Sequence, residues 1–173
     1  MRIALRLPQP AAWTLYGAAA SALMLAAAHA FERFGGLAPC ELCLKQREVY
    51  WIALLVGMAG YVLAGWMRRP RLTVIVCALL ALLFLVGATV AAYHAGVEWK
   101  FWPGPKSCTG GGKINLSDMA GLLNGARISL PQCDVAKWRL LGISMAGYNA
   151  LISLALAAVS AAVTWKWRAF DGR

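Results

Sequence analysis

Charge is scarce in this sequence. Only 14% of its 173 residues are Asp, Glu, Lys or Arg, against 61% hydrophobic residues. That balance excludes an ordinary water-soluble domain. Acid is scarcer than base: seven Asp and Glu stand against 17 Lys and Arg, for a net charge of +10. Such an excess can mark nucleic-acid binding, but no separate basic domain exists to do it. The cations fall between long apolar runs, where they act as topology marks, and no nucleic-acid partner is expected. Histidine occurs twice, and none follows Cys43 directly, which argues against a Cys-x-x-Cys-His haem attachment. A second close cysteine pair is also missing, because Cys108 and Cys133 are far apart in sequence. That spacing argues against a four-cysteine zinc site, so no metal is expected.

Apolar length is what the sequence has in plenty. Four runs, at about 11–31, 49–67, 72–93 and 143–165, approach the ~20 residues that cross a bilayer as a helix. The expected fold is therefore all-α: one membrane domain over residues 1–173, a polytopic four-transmembrane-helix bundle. Ala28-His29-Ala30 looks like a signal-peptidase site. The apolar run before it, however, exceeds the ~7–15 residues of a signal-peptide core, so the first helix is expected to stay. His29 reads as a polar group at the membrane surface. Gly57, Gly60 and Gly65 in the second run permit close helix packing.

The strongest topology mark is Arg68-Arg69-Pro70-Arg71, between the second and third runs. Cytoplasmic loops are enriched in Lys and Arg, so this turn belongs inside. Counting crossings then puts both termini in the cytoplasm and the segments 32–48 and 94–142 outside. Within the long outer loop, Leu116, Met119, Ala120 and Leu123 follow a helical apolar step, with Ser117 and Asp118 before them and Gly125 after. This predicts a short amphipathic helix, either lying on the membrane or packed on the bundle top.

The chain has five cysteines, an odd number that leaves at least one unpaired. Cys77 lies inside the third run and reads as a small packing residue. Cys40, Cys43, Cys108 and Cys133 all fall on the outer side, where disulfides form and persist. Four cysteines allow three pairings; the local choice, Cys40 with Cys43, leaves Cys108 with Cys133. If a helix starts near Pro39, then Cys40, Cys43, Gln46, Arg47 and Tyr50 share one face. A thiol in a first helical turn feels the positive end of the helix dipole, and Arg47 adds a full charge one turn on. Both favour thiolate, the reactive form of cysteine.

The ordered motifs resemble the disulfide-bond-formation protein B (DsbB) family. The resemblance is carried by Pro39-Cys40-Glu41-Leu42-Cys43-Leu44-Lys45-Gln46-Arg47, by Tyr93-His94, by Phe101-Trp102-Pro103-Gly104-Pro105 before Cys108, by Cys133, and by the stretch from Trp138 to Asn149. It implies a bacterial inner-membrane protein that reoxidises a periplasmic thioredoxin-like thiol oxidase of the DsbA type. The electrons would pass to ubiquinone or menaquinone. By the same resemblance, Cys108 forms the mixed disulfide with the partner and Cys133 is its loop mate. Cys40 and Cys43 form the inner pair, Cys43 faces the quinone, and Arg47 binds and polarises it. Gln46 and His94 match family positions near that site. Two other readings of the residues stay open here: a structural membrane protein with staple disulfides, and a thiol-driven quinone or vitamin K reductase of another four-helix family.

Overall fold

The computed structural model describes residues 7–67, 70–105 and 132–171. The expected amphipathic helix near Leu116–Leu123, the outer cysteine Cys108, and Arg68-Arg69 lie outside these residues. Four long helices carry the fold: α1 (Pro10–Arg33), α2 (Glu41–Met67), α3 (Pro70–Glu98) and α4 (Met145–Asp171). The shortest, α1, has 24 residues. At 1.5 Å per residue it is about 36 Å long, more than the ~30 Å of a bilayer core. All four are long and apolar enough to cross a membrane, and the chain is a multi-pass membrane protein.

The boundaries differ from the apolar runs in an informative way. Helix α2 starts at Glu41 and not near residue 49, so Cys43 belongs to its first turn and Cys40 stands just before it. The polar residues there hid a helix that continues beyond the apolar run. Helix α3 likewise extends past Tyr93 to Glu98. Before α4, residues 143–144 are strand and not helix: β1 (Arg139–Leu140) pairs antiparallel with β2 (Ile143–Ser144). Leu141 (φ 50) and Gly142 (φ 81) make the turn, both left-handed as a two-residue hairpin requires. The Ser144 Oγ accepts a hydrogen bond from Gly147 N–H at 3.2 Å and so caps α4.

Helix α1 packs on α2, α2 on α3, and α3 on α4. Leu25, Tyr50, Ala53, Leu80, Phe84 and Ala157 form the central core. Glycine sets the α1–α2 approach: a Cβ at Gly57 would stand 2.8 Å from the Thr14 carbonyl oxygen. Buried hydroxyls return their hydrogen bonds to their own helices, as Ser21 Oγ does to the Gly17 carbonyl at 2.8 Å. The Trp13 indole donates to Ser160 Oγ at 2.9 Å, tying α1 to α4 near one end of the bundle. Cys77 lies at that same end, fully buried beside Trp13 and Val163, with its Sγ 3.6 Å from the Pro10 carbonyl. The outward faces carry Leu55, Leu82, Leu151 and Leu154, all exposed, as a lipid-facing surface requires.

Candidate functional site

The opposite end of the bundle gathers the chemistry. Cys40 immediately precedes α2 and is buried. Its backbone carbonyl accepts the first helical bond, from Leu44 N–H at 3.1 Å. Its Sγ accepts the Cys43 N–H at 3.4 Å. Cys40 thus takes the place of a helix cap, with sulfur where a serine oxygen usually stands. The two Sγ atoms are 2.9 Å apart. Three residues of spacing at a helix start bring this about.

The simple expectation that the helix start favours thiolate fails at Cys40. Its hydrogen bond with the Cys43 thiol, reinforced by burial, pushes the Cys40 thiol above the ordinary thiol range. With Cys40 donating to the Cys43 sulfur, ionising Cys40 would give up that bond, and burial adds to the cost.

A chain of polar side chains runs inward from Cys40 through three helices. His94 on α3 puts Nε2 3.7 Å from Cys40 Sγ. Its Nδ1 is 2.9 Å from Gln46 Nε2. The same Gln46 nitrogen donates to the Leu42 carbonyl at 3.1 Å. A carbonyl only accepts, so this contact fixes the amide nitrogen on that side. His94 Nδ1 must then accept, and the neutral ring carries its proton on Nε2, on the side of Cys40 and of the Cys133 backbone, which also hydrogen-bonds the ring. Beyond Gln46, Asn149 on α4 donates its amide to Gln46 Oε1. Asn149 Oδ1 accepts from Tyr50 OH at 2.5 Å, and Ser153 Oγ lies 2.8 Å from the same hydroxyl.

Arg47 is not a free cation beside the sulfurs. Its Nη1 pairs with Glu32 at the end of α1, and its Nη2 donates to the Ala28 carbonyl at 3.2 Å. The pair straps α1 to α2 and leaves the guanidinium 14% exposed.

Cys133 is 1% exposed and packs against Cys40 and Leu42. It is disulfide-bonded, whereas Cys40, Cys43 and Cys77 are free thiols. The sulfurs of Cys40 and Cys133 and a ring nitrogen of His94 all lie within 4.8 Å of one another. Held in a disulfide, the Cys133 sulfur offers no thiolate to a metal in this state. Nearby, Lys100 Nζ pairs with Asp134 at 2.6 Å, fastening the turn just after α3 to the residue after Cys133. The Lys100 hydrogen bond holds the Asp134 carboxyl below the usual carboxylate range.

A cavity of ≈ 330 Å³ opens beside the pair, within the ~300–1,000 Å³ of small-molecule sites. Cys43, Arg47, His94 and Glu98 supply its polar wall; Phe31 and Trp138 stand among its apolar residues. The two rings touch, with centroids 5.3 Å apart. Mostly apolar walls with a few convergent donors suit a flat, lipophilic redox ring. Cys40, Cys43, Gln46, Arg47 and His94 all line it. Sequence reasoning missed Glu32, Glu98 and Asn149. A polar Asn inside an otherwise apolar helix is itself a functional pointer in a membrane protein.

Comparison with known proteins agrees with this geometry. Residues 10–163 match the family described as disulfide bond formation protein DsbB. A disulfide bond formation protein B from Verminephrobacter eiseniae (strain EF01-2) is 33% identical over 141 residues, covering 73% of this chain and 72% of the relative. One from Dechloromonas aromatica (strain RCB) is 29% identical over 136 residues, covering 75% and 76%. No solved structure matches the chain. With a cluster of cysteines at one end of four membrane-length helices, the chain belongs to the DsbB family of disulfide bond formation proteins, and its broad role is that of a disulfide oxidoreductase in a membrane.

Proposed function

We propose that this protein reoxidises a periplasmic thioredoxin-like thiol oxidase and passes the electrons to a membrane quinone, ubiquinone or menaquinone. The observation that carries the reading is the placement of Cys40. Its sulfur is 2.9 Å from Cys43 and within 4.8 Å of Cys133, so one atom stands between an outer sulfur and a cavity-lining one.

Cys108 and Cys133 form the outer pair in this reading, and Cys108 takes the mixed disulfide with the partner. Once the outer pair is reduced, the Cys133 thiolate attacks Cys40 in the oxidised Cys40–Cys43 pair. The Cys133–Cys40 bond forms, the Cys40–Cys43 bond breaks, and Cys43 leaves as thiolate. The Cys108 thiolate then attacks Cys133, restores the outer disulfide and releases Cys40. A quinone, when bound, would supply the two-electron acceptor for the closing of Cys40 and Cys43, its two protons coming from the site and solvent. Cys43 would face that acceptor, Arg47 would orient it and stabilise negative charge on its oxygen, and His94 and Gln46 line the same wall.

The cavity residues fit the acceptor, because the ring would meet apolar and aromatic walls beside a cation and a sulfur. A staple reading leaves unexplained why two free thiols line a cavity. The site would face the periplasm, with both termini in the cytoplasm and residues 1–173 acting as one domain. The purified protein should oxidise a reduced thioredoxin-like protein over many turnovers only when quinone is supplied. Repeated turnover without quinone, beyond the one or two rounds that the protein's own disulfides supply, or no turnover with quinone present, would sink the reading.

A further inference from the structure

Glu98 is the last residue of α3, where the helix dipole is negative and a carboxylate is disfavoured. Its side chain is only 7% exposed. The described residues contain no hydrogen-bond partner for Oε2. A buried, half-satisfied carboxyl at the wrong end of a helix costs stability, and no packing role accounts for it. It does line the cavity, with Oε1 3.8 Å from His94 Nε2. That is the nitrogen that lies 3.7 Å from Cys40 Sγ. Gln46 occupies Nδ1, so His94 can exchange protons only at Nε2. The other groups acting on Glu98 are Ser144, which hydrogen-bonds it, Arg139 on β1, and Cys43 across the cavity. Arg47 is already paired with Glu32.

We propose that Glu98 is the proton reservoir for the Cys40 sulfur, working through Nε2 of His94. The inference rests on the thiol-exchange reading of this site. When an incoming thiolate releases Cys40, the new disulfide takes up the attacking sulfur and Cys40 leaves as thiolate. His94 Nε2–H gives that sulfur its proton, and the Glu98 carboxyl returns one to Nε2, becoming carboxylate. When Cys40 next forms a disulfide, its proton travels back by the same route and Glu98 is again protonated. No electrons pass through Glu98. Its charge therefore alternates with the redox state of Cys40: neutral when Cys40 is in a disulfide, ionised when Cys40 is a thiol.

Infrared difference spectra of the purified protein, oxidised against dithiothreitol-reduced and without quinone, test this. The wild type should lose a protonated-carboxyl C=O band on reduction. Glu98→Gln should lack the band, and Glu98→Asp should restore it at a shifted position. In stopped flow, Glu98→Gln should slow exchange at Cys40 about a hundredfold, the scale of general acid–base catalysis, and flatten its pH profile. A merely structural Glu98 would change neither the band nor the profile. If Glu98→Gln does not fold, Glu98→Asp alone decides, because the band must move with the aspartate. Wild-type turnover with quinone but no carboxyl change overturns the Glu98 assignment alone. Absence of turnover overturns the parent reading and this one with it.

Discussion

The polar chain behind Cys40 makes a sharp claim about one proton. Gln46 holds three groups at once: it donates to the Leu42 carbonyl, meets His94 Nδ1 at 2.9 Å and accepts from Asn149. Replacing it with leucine strands the His94 ring nitrogen and the Asn149 amide in a buried place. Each stranded group costs ~1–3 kcal/mol. The pair together approaches ~2–6 kcal/mol, much of the ~5–15 kcal/mol by which domains are stable. Gln46→Leu should therefore lower the unfolding temperature strongly. Gln46→Glu is the more discriminating change. An ionised carboxylate only accepts, so it must draw a proton onto His94 Nδ1 and strip Nε2 of its own. Nitrogen-15 spectra of the histidine ring report this directly, with His29→Asn removing the other histidine. The wild type should be protonated at Nε2 and bare at Nδ1, and Gln46→Glu should reverse the two. Thiol exchange at Cys40 should then slow about a hundredfold, since Nε2 has no proton to give. A wild-type ring protonated at Nδ1 would refute the argument.

Other outcomes follow from the same geometry. Arg47→Gln removes the cation proposed to hold the quinone oxygen, along with the Glu32 pair and the Ala28 bond; a charge-assisted bond to the quinone is worth ~1.5–3 kcal/mol, so the apparent KM for a soluble quinone should rise about tenfold to hundredfold. Arg47→Lys keeps the charge and should be milder, and unchanged kinetics in folded Arg47→Gln would place the quinone elsewhere. Cys43→Ser should abolish quinone reduction yet leave one round of partner oxidation, whereas Cys77→Ala, at the far end of the bundle, should turn over normally in a single-turnover thiol assay. The Lys100–Asp134 pair predicts a pH effect: because Lys100 depresses the Asp134 carboxyl, its contribution is present above the unfolded Asp value of ~3.9 and is lost as pH falls through the lower folded value. The pair is largely exposed, so Lys100→Ala should cost no more than ~1 kcal/mol at neutral pH and nothing in strong acid; a thermal-melt gap that persists in acid would refute it. A reporter fused at Arg69 should read cytoplasmic, and an outer reading would overturn the proposed orientation.

Four membrane helices were legible in the sequence because apolar length is a one-dimensional property. Their ends were not, because ends depend on partners. The apolar run of α2 begins near residue 49, yet the helix reaches back to Glu41: Gln46 and Arg47 are polar residues satisfied by other helices, and the pattern reads them as loop. Ile143 and Ser144 continue an apolar run, but Leu141-Gly142 supplies two left-handed residues and turns the chain into a hairpin. Within the site, Cys40, Cys43, Gln46 and Arg47 were visible as one face, because helical spacing alone puts them together. His94 came only through family resemblance. Glu32 and Glu98 had no local pattern to announce them. Each matters through a partner on another helix, Arg47 for the first and His94 for the second.

The position of Cys40 ties these features into one device. A sulfur at a helix cap is held by the Cys43 N–H and not by its own helix interior, so it can rotate without disturbing α2. Cys43 lies 2.9 Å to one side and Cys133 lies within 4.8 Å. Side chains move between staggered rotamers, and a step of this size is about what one such change at Cys40 supplies. The proposed exchange of partners therefore needs no helix movement, which suits a site whose surroundings are strapped. Arg47–Glu32 fixes α1 to α2, Lys100–Asp134 fixes the turn just after α3 to the Cys133 segment, and Asn149–Gln46 fixes α4 to α2. Rigid walls and one rotating sulfur keep the two exchange partners at constant distance, the condition under which orientation contributes most to rate.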